Sequence, residues 1–221
     1  LSGGAPPVLD VQTRTRFNEA NDSHYYLVPG VIVTIMTMIG ALLTSLVMAR
    51  EYERGTLESL FVTPVGSGEI LTAKAATNFL LGMVSLAISM IFAAFVFDIP
   101  IRGSLTLLLA VSALFLIVAL GLGLVISTAT KNQFLACQFA IMGTFMPALM
   151  LSGFLYDILN MPPAVRALTY MIPARYYVTL LQTLFLAGDI PSVIIPCCIT
   201  LGVFAVVLMG IARLKAPKSL E

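Results

Sequence analysis

The sequence predicts an all-α membrane protein: five transmembrane helices, a cytoplasmic amphipathic helix, and re-entrant helices at the outer face. Three observations predict it. Hydrophobic residues make up 59% of the 221 positions and charged residues only 10%, against roughly 45–50% and 25% in a soluble domain. The 12 basic and 11 acidic residues are spaced so that long stretches carry no charge at all. Five of those charges, Arg50, Glu51, Glu53, Arg54 and Glu58, crowd into a single short segment.

The charge-free runs are Tyr26–Ala49, Ala75–Phe97, Gly103–Thr130, Asn132–Tyr156 and Ile190–Ala212, each longer than the roughly 20 residues a helix needs to cross a bilayer core. A sixth run, Tyr176–Gly188, is too short to cross and reads as an interfacial or re-entrant helix. Five spans put the two ends of the chain on opposite sides. With the first tail outside, the inner segments hold Arg50, Arg54, Lys74, Lys131, Arg213, Lys215 and Lys218, and the outer ones Arg14, Arg16, Arg102, Arg166 and Arg175. The positive-inside rule favours that orientation, and Arg213 to Lys218 directly after the last span supports it.

The segment from Arg50 to Phe61 is then cytoplasmic. On a helical reading Glu51, Arg54 and Glu58 share one face and Leu57, Leu60 and Phe61 another. Gly55 interrupts it, Thr63-Pro64 ends it, and Gly66-Ser-Gly68 turns the chain into the next helix, with Ser67 as a cap and Glu69 in the first turn. A plain connector needs only a few polar residues. An apolar edge beside alternating charges suits docking into a groove on another protein.

Arg50-Glu-Tyr-Glu-Arg-Gly-Thr-Leu-Glu-Ser-Leu-Phe-Val-Thr-Pro64 resembles the cytoplasmic coupling segment of the permease subunits of type-2 ATP-binding-cassette exporters. Downstream, Leu151-Ser-Gly-Phe-Leu-Tyr-Asp-Ile-Leu-Asn-Met-Pro-Pro163 and Tyr170-Met-Ile-Pro-Ala-Arg-Tyr-Tyr177 are similar to that family's signature before its last span. The resemblance implies an outward transporter driven by a separate ATPase subunit, which binds ATP and Mg, and a second permease chain, identical or paralogous, in a bacterial inner membrane among its lipids. It implies an ATPase-coupling role for Arg50, Glu51, Glu53, Arg54, Gly55, Thr56, Leu57, Glu58, Leu60 and Phe61. It also implies that residues 1–25 are the remnant of an extracytoplasmic domain or linker and residues 26–215 the transmembrane permease domain. Residues 216–221 are a cytoplasmic tail whose Leu220-Glu221 resembles a cloning scar. Tyr156-Asp157 stands where the family commonly has Pro.

Gly153, Pro162, Pro163 and Pro173 break the backbone repeatedly at the outer end of a span. Broken backbone at membrane depth is tolerated only where protein or water satisfies its polar groups, so this region reads as an outer re-entrant gate, with a short helix at Ala164–Met171 and Arg166 turned to water. The amides Asn78, Gln133 and Gln138 either line a polar pathway or make interhelical hydrogen bonds. Gly82 and the glycines of Leu120-Gly-Leu-Gly-Leu124 offer close helix contact. With no charge in the five runs, the cargo reads as amphipathic or apolar.

Other classes fit poorly. No Gly-Lys pair of a phosphate-binding loop occurs, so Leu1-Ser-Gly-Gly4 does not mark a nucleotide-binding domain. The single histidine, His24, precedes the first span, which leaves an intramembrane nucleophile without a base. Cys137, Cys197 and Cys198 lie in spans with no second ligand type near, and no basic, aromatic-interleaved patch suggests nucleic acid. A channel, or a membrane anchor or regulator of an ATPase, remains the alternative to a transporter.

Overall fold

A computed structural model of the chain describes residues 24–55, 67–97, 99, 102–156 and 158–215. Among them all regular structure is helical. The first rod is α1 (His24–Thr37), a π-helical turn (Met38–Leu43) and α2 (Thr44–Glu53). It ends where Gly55 takes φ +66 and its N–H bonds the Tyr52 carbonyl at 3.3 Å, a left-handed stop that glycine adopts without strain. The expected amphipathic helix therefore does not begin at Arg50: Arg50, Glu51 and Glu53 form the last turn of the first span, and residues 56–66, with Thr56, Leu57, Glu58, Leu60 and Phe61, lie outside the described residues.

The chain returns through α3 (Ser67–Phe95) and descends again through α4 (Leu105–Thr130). Lys131 turns it at φ 50, and the Asn132 side chain accepts from the Leu135 N–H at 3.1 Å to cap α5 (Gln133–Ala140). A second π turn (Ile141–Phe145) leads into α6 (Met146–Leu151). Pro147 explains that turn, because it has no N–H for the carbonyl four residues back and its ring crowds that carbonyl. The helix stops at Leu151, and Gly153 follows at φ +89.

After a 3-10 turn (Ile158–Asn160) come α7 (Pro163–Thr169), α8 (Pro173–Gln182) and a third π turn (Thr183–Ala187), and the chain leaves through α9 (Pro191–Lys215). Five helical segments, Leu27–Glu53, Thr72–Phe95, Leu105–Thr130, Gln133–Leu151 and Pro191–Lys215, are long and apolar enough to cross a membrane. They match the five charge-free runs closely.

The helix α4 is the centre of the bundle. Of its most apolar window 56% is buried, against 28% for α3 and 17% each for α5–α6 and α9, so those outer helices carry most of the exposed apolar surface. Small residues set the approach distances, as the sequence suggests. A Cβ on Gly123 would lie 2.7 Å from the Ala41 carbonyl oxygen, one on Gly121 3.0 Å from Leu208 Cβ, and one on Gly82 2.5 Å from Leu116. One face of α4 thus seats against the first span and another against α9.

The stretch α7–α8 is a re-entrant hairpin. Pro173 and Ala174, at its tip, border a cavity with Thr37, Ala119, Leu122 and Thr144. Ala119 and Leu122 lie past the midpoint of α4, roughly 20–25 Å from its outer end at about 1.5 Å per residue. Tyr176 packs against Phe204, midway along α9, at 6.3 Å between ring centroids. From its tip α8 climbs back, and the Leu184 carbonyl accepts from the Gly103 N–H at 2.8 Å at the outer end of α4. The short helix at Pro163–Thr169 and the re-entrant character of the sixth run agree with the sequence. Arg175 precedes Leu184 by nine residues on the rising arm, which sets it within roughly 14 Å of the outer end of α4 at about 1.5 Å per residue.

Candidate transport site

At the inner corner, the charged segment is laced to two other helices. Glu51 pairs with Lys74 of α3. A Glu53 carboxylate oxygen accepts from the Gln133 backbone N–H at 3.0 Å, and Arg50 Nε donates to Gln133 Oε1 at 3.3 Å. The carboxylate of Glu53 thus meets one of the free amides at the positive end of α5. Arg54 is exposed. A turn deeper, the buried Asn78 donates from Nδ2 to Thr44 Oγ1 at 3.1 Å, joining α3 to α2.

In the middle, a cavity of about 90 Å³ lies between the first span, α4, α5–α6 and the hairpin tip, with Thr37, Phe115, Leu122, Thr144, Met171 and Pro173 on its walls. Two of the three π turns adjoin it: Thr37 immediately precedes the first, and Gly143 and Thr144 belong to the second. Wide turns of this kind occur often at functional sites. The Thr37 and Thr144 hydroxyls donate back to Val33 O at 2.7 Å and Ala140 O at 2.5 Å, which leaves the wall largely apolar.

The hairpin is fastened at both ends. Tyr177 is fully buried, stacks on Phe115 at 4.1 Å and donates to Ser112 Oγ at 2.8 Å. Phe154 lies flat on Gly30, where a Cβ would come within 1.8 Å of its ring. At the outer end the third π turn widens the helix, and its carbonyls are taken up by the loop before α4. Arg102 Nη1 donates to Leu186 O at 3.2 Å, and Asp189 Oδ1 accepts from the Ser104 N–H at 3.0 Å. Gly188, at φ +89, makes the turn toward α9.

At the tip, Arg175 donates to Thr169 Oγ1, and its guanidinium carbon sits 4.0 Å from the centroid of the Tyr170 ring. Arg166, one helical turn before Tyr170, also reaches the phenol. Hydrogen bonding and charge from Arg175, then the weaker influence of Arg166, hold the exposed Tyr170 hydroxyl below its ordinary pKa.

A family model for ABC-2 family transporter proteins matches residues 3–214. The chain belongs to the ABC-2 transporter family. It is 47% identical over 215 residues to the "Probable multidrug ABC transporter permease YbhS" of Escherichia coli, covering 97% of this chain and 57% of that protein. It is 31% identical to the E. coli "Probable multidrug ABC transporter permease YbhR" over 82% of this chain and 49% of the relative, and 28% identical to the "Inner membrane transport permease YhhJ" over 97% and 57%. The chain thus spans about half the length of these relatives.

Within this ABC-2 chain the sequence-predicted residues fall into separate places. Arg50, Glu51 and Glu53 form the inner corner. Gly153 and Pro173 are buried breaks, and Pro162 and Pro163 open the exposed start of α7. Asn78 joins two helices, Gln133 begins α5 at the inner corner, and Gln138 lies exposed on α5. The three cysteines are unpaired, and among the described residues no group of three or more His, Cys, Asp or Glu could hold a metal. The Arg166–Tyr170–Arg175 cluster and the Tyr177–Ser112–Phe115 fastening were not singled out from sequence. The available signal was an arginine placed between a proline and an apolar run too short to span.

Proposed function

We propose that this chain is the membrane-spanning part of the permease subunit of an ATP-driven exporter in the bacterial inner membrane. In this reading it moves an amphipathic or apolar molecule outward. The observation that carries the reading is the re-entrant hairpin, whose tip closes a mid-membrane cavity against two π turns. A path held shut from outside by a hairpin opens when the spans beside it tilt. The printed names of the E. coli relatives, multidrug and inner-membrane permeases, support the same class.

In this mechanism the segment after Gly55 docks into a groove on a separate ATPase subunit, which binds ATP and Mg. Closure of two ATPase subunits drives the inner corners of two permease chains, identical or paralogous, as levers. The spans then rotate as rigid bodies between inward- and outward-open arrangements. The chain itself contributes no nucleotide chemistry.

The test is ATP hydrolysis and efflux by the complete permease with its ATPase in sealed vesicles, using an apolar fluorescent amphiphile. Export predicts hydrolysis stimulated by the amphiphile together with its ATP-dependent movement. Hydrolysis that ignores the amphiphile, with no movement, would instead make the chain an anchor or regulator of the ATPase. Movement without ATP would make it a channel.

A further inference from the structure

We infer that the tip of the re-entrant hairpin is a recognition site for an anionic group carried on an apolar tail, with Arg175, Arg166 and Tyr170 taking the head and the adjoining mid-membrane cavity taking the start of the tail. The inference rests on the exporter reading and narrows its substrate class to amphipathic anions. Three observations support it.

The first is unbalanced charge. The ion pair between Glu51 and Lys74 is at the inner corner. Among the described residues no carboxylate pairs with Arg166 or Arg175. Arg175 has a hydroxyl and a ring as partners, which orient a cation without neutralising it. A guanidinium held below the outer ends of the spans with no paired carboxylate is a natural partner for a counter-ion or an anionic group of a substrate.

The second is geometry. Arg175 is fixed by Thr169 on one side and Tyr170 on the other, so its planar donor fork is held in one orientation, suited to a carboxylate, phosphate or sulfate. Arg166 and Tyr170 are both exposed on the same face of the tip, adding a second cation and a hydroxyl. The third is adjacency. Met171, Ile172, Pro173 and Ala174, which join this cluster to α8, are themselves walls of the apolar cavity. Head and tail sites are thus contiguous, as an amphiphile requires.

A carboxylate, phosphate or sulfate head could belong to a transported molecule or to a phospholipid. The experiment uses the complete permease–ATPase complex in phosphatidylcholine nanodiscs and two fluorescent probes, 12-(dansylamino)dodecanoic acid and its uncharged carboxamide. The expected result for the parent complex is that the acid binds about tenfold or more tighter than the amide, the scale of a hydrogen bond to a charged group. Arg175→Gln should reduce that ratio to near one, Arg166→Gln should lower it, and Arg175→Lys should retain part of it. Equal binding of acid and amide by the parent overturns the site without reference to any variant, as does a ratio unchanged in Arg175→Gln. In nanodiscs containing phosphatidylglycerol, loss of the preference identifies the lipid head as occupant, and its survival identifies the transported anion. Efflux of the neutral amide by a complex that shows no preference would keep the exporter reading and discard this site.

Discussion

Replacing Gly123 by Ala while replacing Gly202 by Ala separates crowding from helix propensity. Both glycines lie within long spans, and both changes add the same methyl group. At Gly123 the new Cβ falls 2.7 Å from Ala41 O, 2.9 Å from Thr44 Cβ and 3.1 Å from Ser45 N, whereas at Gly202 nothing lies within 4 Å. Relieving the closest contact to an ordinary separation of ~3.4 Å moves α4 and the first span apart by roughly 0.7 Å. The contacting atoms include two backbone groups, which have no rotamer to escape into. Overpacking of this kind costs about 1–3 kcal/mol, while Gly→Ala gains up to about 1 kcal/mol in helix propensity at either position. Gly202→Ala should therefore be neutral or stabilising. Gly123→Ala should fall below it by about 1–3 kcal/mol, the propensity gain cancelling in the comparison. The assay is equilibrium unfolding of the complete permease in mild detergent, titrated with a denaturing detergent and followed by circular dichroism. Equal midpoints for the two variants would refute the close crossing of α4 on the first span.

Four further outcomes are expected. Tyr177→Phe and Ser112→Ala should each destabilise by about 1 kcal/mol, and the double variant by less than their sum, because a buried hydroxyl left alone costs more than one removed together with its partner; thermal melting of all four proteins forms the cycle. Glu51→Lys should loosen the inner corner by setting like charges together, with a cost of about 1 kcal/mol on the scale of partly exposed pairs, and Lys74→Glu in the same chain should restore it. Glu58→Lys should weaken capture of the ATPase subunit in a pull-down. Gly30→Ala should unseat the Phe154 ring and raise protease cleavage between residues 153 and 162 in outward-facing vesicles, an effect that Phe154→Ala on the same chain should not worsen.

The five spans were legible because bilayer thickness converts directly into run length, and charge marks each boundary within a few residues. Gly82, Gly121 and Gly123 were legible as contact points for a similar reason: small side chains have few other uses in the middle of an apolar helix. The gate prolines marked the hairpin, since each removes a backbone donor. What could not be read was depth. Nothing local distinguishes an arginine in an outer loop from one carried inward by a hairpin, so Arg175 was counted with the outer charges. The partners of Arg50, Glu51 and Glu53 were equally hidden. Lys74 and Gln133 stand far away along the chain, and only the packing of α3 and α5 beside α2 brings them near. The π turn at Ile141–Phe145 follows from Pro147, whereas those at Met38–Leu43 and Thr183–Ala187 carry no proline, and periodicity does not encode them.

The ties at the inner corner reduce the number of independent motions available to the bundle. If α2, α3 and α5 met the cytoplasm separately, a force applied beyond Gly55 would bend one rod and dissipate in it. With Glu51 bound to Lys74 and Glu53 and Arg50 bound to Gln133, the inner ends of three rods share one displacement. Two of those rods contain a π turn beside the central cavity, so under the proposed coupling they would yield at mid-membrane and not at the surface where the ATPase docks. In the proposed mechanism, a knot at one end and two wide turns halfway along would convert a small sideways step at the inner face into a change of shape around the hairpin tip.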